Sequence, residues 1–150
     1  MKRVMKNLLG AIAITMGLTL AAGAVHAMGH EKYILVSHAP DSDSWWNTIK
    51  NALALAGKQM GVEVEYRNPP TGDLADMARI IEQAAASGPS GIITTLADPD
   101  ILAGPIKAAV DSGVDVIIMN SGTPEMARKV GALMYVGQPE YDAGYAAGLR

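Results

Sequence analysis

Residues 34–53, Ile34-Leu-Val-Ser-His-Ala-Pro-Asp-Ser-Asp-Ser-Trp-Trp-Asn-Thr-Ile-Lys-Asn-Ala-Leu53, pass from an apolar run through a polar turn into a helical pattern that opens on two tryptophans. This reads as a strand, a turn and a helix, the first half of a βαβ unit. The same alternation continues to the end of the chain. Strands are expected at Tyr33 to Ser37, Val62 to Arg67, Gly91 to Thr95, Asp115 to Met119 and Leu133 to Gly137. Between them Ile49, Leu53, Ala56 and Met60 fall on one helical face, as do Leu74, Met77, Ile81 and Ala84, and then Leu102, Ile106, Ala109 and Val110. Strands alternating with helices predict an α/β fold with a doubly wound, flavodoxin-like parallel sheet and helices on both faces.

The helix boundaries have chemical causes. Ser44 can cap the first helix, Asp73 precedes the second, and Asp98 stands before Pro99 at the start of the third. Gly61, Gly88 and Gly113 follow the helices and suit left-handed stops. A fourth helix, around Pro124 to Lys129, is expected to be short. Right-handed crossovers gather the strand-to-helix turns at one edge of the sheet, and ligands of open α/β sheets bind at that edge. The turns are His38 to Ser44, Asn68 to Gly72, Leu96 to Asp98 and Asn120 to Thr123, rich in hydroxyls, amides and carboxylates.

The N-terminus has a different character. Lys2, Arg3 and Lys6 precede an almost uncharged stretch from Leu8 to Ala24, followed by Val25-His26-Ala27. Residues 1–27 therefore read as a signal peptide cut after Ala27, leaving residues 28–150 as one domain. The apolar stretch is shorter than the roughly 20 residues that span a bilayer comfortably. The chain has no cysteine, which excludes disulfides and a lipoprotein anchor, so a soluble periplasmic product is expected. The net charge of −3, with Lys and Arg scattered, offers no basic surface for nucleic acid.

Candidate ligand residues lie in the first and fourth turns. Asp43 can accept hydrogen bonds from hydroxyls, and Trp45 and Trp46, the two tryptophans of the chain, can pack against the C–H face of a sugar ring. The same acidic and hydroxyl residues would also build an Asx-turn, with one Trp in the core, since neighbours at a helix start point about 100° apart. Asn120 follows the apolar Val116 to Met119 and can both donate and accept, or serve the turn alone. Asp98 is the weaker candidate, since an N-cap aspartate before Pro needs no ligand to explain it. His38, without a placed carboxylate partner, fits local hydrogen bonding better than catalysis. His26 and His30 have a metal-binding spacing, but the expected cut separates them. No GxGxxG, GxxxxGK[ST] or GxSxG occurs, so no enzyme, metal site or cofactor is predicted.

The chain resembles the N-terminal lobe of periplasmic sugar-binding proteins of the ribose-binding type, which serve ABC importers. The resemblance spans residues 33 to 150. It rests on Ser44-Trp45-Trp46, on Gly91-Ile-Ile-Thr-Thr-Leu-Ala-Asp-Pro-Asp100, on Gly113-Val-Asp-Val-Ile-Ile-Met-Asn120 and on Tyr135-Val-Gly-Gln-Pro-Glu-Tyr-Asp-Ala-Gly144. It implies that Trp45 and Trp46 stack on a sugar, that Asp43 binds hydroxyls, and that Asn120 contributes from the fourth strand tip. Ser121 stands where an arginine often follows in that family, so the resemblance leaves another pentose, an inositol-like polyol or a cyclised signalling sugar open on equal terms with ribose or galactose. The resemblance also implies an inner-membrane ABC permease, and sometimes a chemoreceptor, as partners. Family members have two lobes, and Gly137 to Leu149 correspond to the crossing into the second, so half of a two-lobed pocket and weak binding are expected of this chain. A receptor- or permease-docking half-lobe, without transport function, is the alternative.

Overall fold

The computed structural model describes residues 31–150; the predicted signal peptide lies outside them. Ten elements alternate: β1 (Lys32–Val36), α1 (Trp46–Met60), β2 (Glu63–Arg67), α2 (Leu74–Ala86), β3 (Gly91–Thr94), α3 (Pro99–Asp111), β4 (Asp115–Met119), α4 (Pro124–Val130), β5 (Met134–Val136) and α5 (Glu140–Gly148). The strands form one parallel sheet in the order β2-β1-β3-β4-β5. This is the doubly wound order of flavodoxin-like sheets, as the alternation of strand and helix predicts. Val36 pairs with Thr94, Thr94 with Ile118 and Ile118 with Tyr135, so the carboxyl ends of four strands finish level.

Handedness distributes the helices unequally. The step from β1 to β2 runs one way across the sheet and places α1 on one face; the next three crossovers run the other way and place α2, α3 and α4 on the opposite face. The three-helix face encloses the larger core, in which Ile34, Val36, Ile92, Val116 and Ile118 meet Met77, Ile81, Leu102 and Ile106. Of the predicted stripes of α2 and α3, Met77, Ile81, Ala84, Leu102, Ile106 and Ala109 are buried there, and Leu74 and Val110 pack against it half-buried. Asp73 and Asp98 cap as expected, accepting from the backbone N–H of Asp76 at 2.8 Å and of Asp100 at 2.9 Å.

The face under α1 is thinner. Leu35, Ala39 and Trp46 form its buried centre, flanked by Ile49, Leu53, Tyr66, Ile93 and Met119. Here the expected stripe is corrected: Ala56 is exposed and Met60 is 70% exposed, while Gly57 faces the sheet. A Cβ on Gly57 would lie 2.7 Å from Val64 Cγ2, so α1 reaches β2 through its bare backbone there, while Ala56 and Met60 beside it border an open hollow and stay exposed. Beyond α1 nothing among the described residues covers this face of β4 and β5, where Leu133, Met134 and Val136 are exposed. An apolar hollow of about 460 Å³ opens there, at the amino ends of the strands, between Tyr33, Met60, Ile117 and Leu133. α5 leaves the sheet without burying a residue.

Candidate ligand-binding site

The turn after β1 is held from both neighbouring strands. Ser37, fully buried, accepts from the Ala39 N–H at 3.3 Å and bonds the Tyr66 hydroxyl of β2 at 2.5 Å. The Asn68 amide, in the loop after β2, donates to the Ala39 carbonyl at 3.0 Å and to Asp41 Oδ1 at 2.9 Å. On the other side the backbone N–H of His38 donates to Thr95 Oγ1 at 3.1 Å. A turn rich in Pro and Asp thus becomes a fixed surface without a regular element of its own.

At its end the two tryptophans separate. Trp46 is 2% exposed and sits in the core against Leu35 and Tyr66, whereas Trp45 is 55% exposed. The rings meet edge to face with centroids 5.4 Å apart, so the buried indole supports the exposed one. Ser44 does not cap α1, contrary to expectation. The donors it would serve, the N–H groups of Trp46 and Asn47, already bond the Asp43 and Ser44 carbonyls at 3.3 and 3.1 Å, Asp43 Oδ1 accepts the Trp45 N–H at 3.0 Å in an Asx-turn, and α1 has no side-chain cap. Asp43 is half-buried, and its other carboxylate oxygen has no hydrogen-bond partner among the described residues.

Across the strand tips the order is Asn68, His38, Thr95–Leu96, then Asn120–Ser121. His38 and Asn120 therefore flank the tip of β3, two inter-strand spacings or about 10 Å apart. Asn120 adopts φ 58°, a left-handed conformation that asparagine tolerates better than most residues. It is held there by its N–H to the Val136 carbonyl at 3.0 Å and by the Tyr135 hydroxyl on its own carbonyl at 2.8 Å. Its side-chain oxygen accepts from Ser121 at 3.0 Å. Asp98 lies at the same edge, where one oxygen caps α3.

The structure thus brings His38, Asp43 and Trp45 together on one turn, sets Asn120 and Asp98 on neighbouring tips, and places Trp46 beneath them. Thr95 and Asn68 hold the site and escaped the sequence reading. The polar Thr94-Thr95 pair ending an apolar strand was the available sign for the first; nothing local marked the second. Burial of the His38 ring lowers its proton affinity, against a smaller opposing pull from Asp43. No cluster of three or more metal-ligating side chains exists among the described residues. The arrangement offers hydrogen-bond donors, acceptors and an aromatic wall at one sheet edge; where a hydroxyl meets an imidazole, at Thr95 Oγ1 and His38 Nδ1, the hydroxyl is fully buried and out of a ligand's reach.

Residues 33–150 match the periplasmic binding protein domain family. A carbohydrate transporter from Acidothermus cellulolyticus, solved in complex with myo-inositol, is 34% identical with a TM-score of 0.74; the match covers 79% of this chain and 41% of that one. GanP, a glucose-galactose binding protein from Geobacillus stearothermophilus, is 28% identical with a TM-score of 0.71, covering 79% and 40%. XylFII, in its complex with LytSN, is 28% identical with a TM-score of 0.70, covering 79% and 41%. A segment of 74 residues is 32% identical to F-box/SPRY domain-containing protein 1 of Caenorhabditis elegans, but it spans 49% of this chain and 21% of that protein, too little to assign a family. The chain spans about two fifths of the length of these solved relatives, which corresponds to one lobe. This chain belongs to the periplasmic binding protein family, a non-enzymatic family, and its fold is one lobe of that architecture.

Proposed function

We propose that the chain is the sugar-binding part of the solute-binding component of an ABC-type importer, and that it takes a monosaccharide or sugar-like polyol at its strand tips. It would act in the periplasm, delivered there by residues 1–27, and pass ligand to an inner-membrane permease. The observation that carries this reading is the exposed indole of Trp45 standing on a buried Trp46, beside polar side chains on adjacent tips. A flat apolar face with hydroxyl-binding groups alongside suits a neutral polyol, whose ring has an apolar C–H face and a rim of hydroxyls. Asp43 and Asp98 would accept from hydroxyls, Asn120 and His38 would bond from opposite sides of β3, and Trp46 would keep Trp45 in place. Myo-inositol in the Acidothermus relative favours a ring of this kind.

One lobe encloses less of a ligand than the 70–90% or so that small-molecule pockets bury, so the chain alone should bind weakly. Isothermal titration at millimolar myo-inositol, galactose, glucose and arabinose tests the proposal. The expected result is weak heat with at least one of them, reduced by Trp45→Ala. No heat with any, from this chain and from a two-lobed relative carrying the same turn, would overturn it.

A second reading, a docking half-lobe for a receptor or permease, draws on the open apolar face of β4–β5 and on the complex of XylFII with LytSN. Co-purification with a membrane partner that survives Trp45→Ala and Asn120→Ala would favour it.

A further inference from the structure

The imidazole of His38 has a hydrogen-bond arrangement that determines where its proton sits. Thr95 is fully buried, and its Oγ1 already accepts the backbone N–H of His38 at 3.1 Å. A buried hydroxyl proton left without an acceptor costs about 1–3 kcal/mol. Among the described residues, the one acceptor within hydrogen-bond distance of that proton is His38 Nδ1, at 3.0 Å. A hydrogen bond in the opposite sense, from Nδ1–H to Oγ1, would strand the threonine proton in the core. We infer that Thr95 is a positioning residue that holds His38 in the neutral tautomer with its proton on Nε2, giving the strand tips a fixed imidazole N–H donor.

Nε2 is accessible. No buried side-chain nitrogen or oxygen among the described residues lacks a partner, and Nε2 makes no hydrogen bond, so it opens to solvent. The ring is set edge-on to Trp46, with centroids 5.7 Å apart, which fixes its plane. The consequence, which rests on the polyol reading above, is that this edge of the site donates to a ligand oxygen while Asp43 and Asp98 accept. Asp43 is negative and pulls His38 towards protonation; Thr95, just past β3, and Trp46 from α1, against which the ring is set, are uncharged. Protonation at Nδ1 would remove the acceptor of the Thr95 hydroxyl, so the donor tautomer should persist well into mildly acid conditions.

Long-range ¹H–¹⁵N correlation spectra of the ¹⁵N-labelled full chain, with His38→Gln to assign the signals, read the tautomer without any ligand. A pyridine-type Nδ1 and a pyrrole-type Nε2 are expected. Thr95→Ser should keep this signature, and Thr95→Val should raise the His38 titration midpoint by about one pH unit, a tenfold rise in proton affinity. A pyrrole-type Nδ1 in the unmutated chain, or an unchanged midpoint in Thr95→Val, would overturn the inference. If Thr95→Val does not fold, the spectrum of the unmutated chain alone decides. Failure of the sugar titrations would leave this spectrum unchanged, so the two ideas fail separately.

Discussion

The adjacent tryptophans should respond to the same substitution in opposite ways. Trp46→Ala empties a site among Leu35, Ala39, Tyr66 and Ile93. A buried Trp removes about 150–250 Å² from water, which at about 25 cal/mol/Å² is roughly 4–6 kcal/mol; an unfolded chain that already hides part of that surface lowers the figure. Measured Trp→Ala losses of about 3–5 kcal/mol agree. Against a total stability of about 5–15 kcal/mol, this leaves the chain marginal. Trp45→Ala removes an indole that is 55% exposed and one edge contact with Trp46, so its cost to stability is about 1 kcal/mol. Its effect on ligand is larger: a sugar covering roughly 80 Å² of the ring gains about 2 kcal/mol, about 30-fold in affinity. Urea unfolding followed by far-UV circular dichroism, dominated by the backbone, measures the first quantity, and isothermal titration the second. The reasoning is refuted if Trp46→Ala costs less than about 1 kcal/mol, or if Trp45→Ala costs as much stability as Trp46→Ala.

Asn68→Ala removes two hydrogen bonds that tie the first turn to the loop after β2 and should cost about 1–3 kcal/mol; hydrogen exchange should quicken in residues 39–45 and stay unchanged in β4. Gly57→Ala gains helix propensity of about 1 kcal/mol yet forces a Cβ to 2.7 Å from Val64, so thermal unfolding should show a net loss; a gain would mean that α1 does not lie this close to β2. Acid sensitivity should have two limbs. Glu65 is held down to about 2 from 4.5 by hydrogen bonds from Arg67 and Lys32, so its contribution is present above pH 4.5 and lost as pH falls towards 2; solvent screening keeps it to about 1 kcal/mol. His38, with its affinity for protons lowered by burial, costs stability as pH falls below 6.5, where the unfolded chain takes up a proton first. Urea midpoints between pH 8 and 3 check both: Glu65→Gln should flatten the lower limb and His38→Gln the upper.

The legible parts of this molecule were those written in local periodicity and capping chemistry. The stripe Met77, Ile81 and Ala84 faces the core because a helix repeats every 3.6 residues, whatever it packs against. The burial of the α1 stripe was misjudged because period alone does not report what covers a face: Gly57 has no side chain to count as apolar, yet its absence of bulk brings the helix onto Val64, while Ala56 and Met60 border a hollow that no described residue fills. The alternation of strands and helices implied helices on both faces, but the count per face follows from strand order, which puts three on one side and α1 alone on the other. The site was half visible. Asp43, Trp45 and Asn120 stand out as polar or aromatic residues at strand ends. Which Trp is buried depends on the rotation of α1, and the role of Thr95 depends on a contact with a residue 57 positions away, which no local pattern encodes.

The central claim is that a sugar or polyol binds at the tips of β1, β3 and β4. Its most direct test is a ¹H–¹⁵N chemical-shift titration of the labelled chain with myo-inositol and galactose up to tens of millimolar, which detects weak binding and locates it. The account predicts saturable shifts at the Trp45 indole N–H, the His38 ring and the Asn120 side-chain amide, with the Trp46 indole moving less. Saturable shifts confined to Leu133, Met134 and the open face of β4–β5, or no shifts at the tips with either ligand, would contradict it.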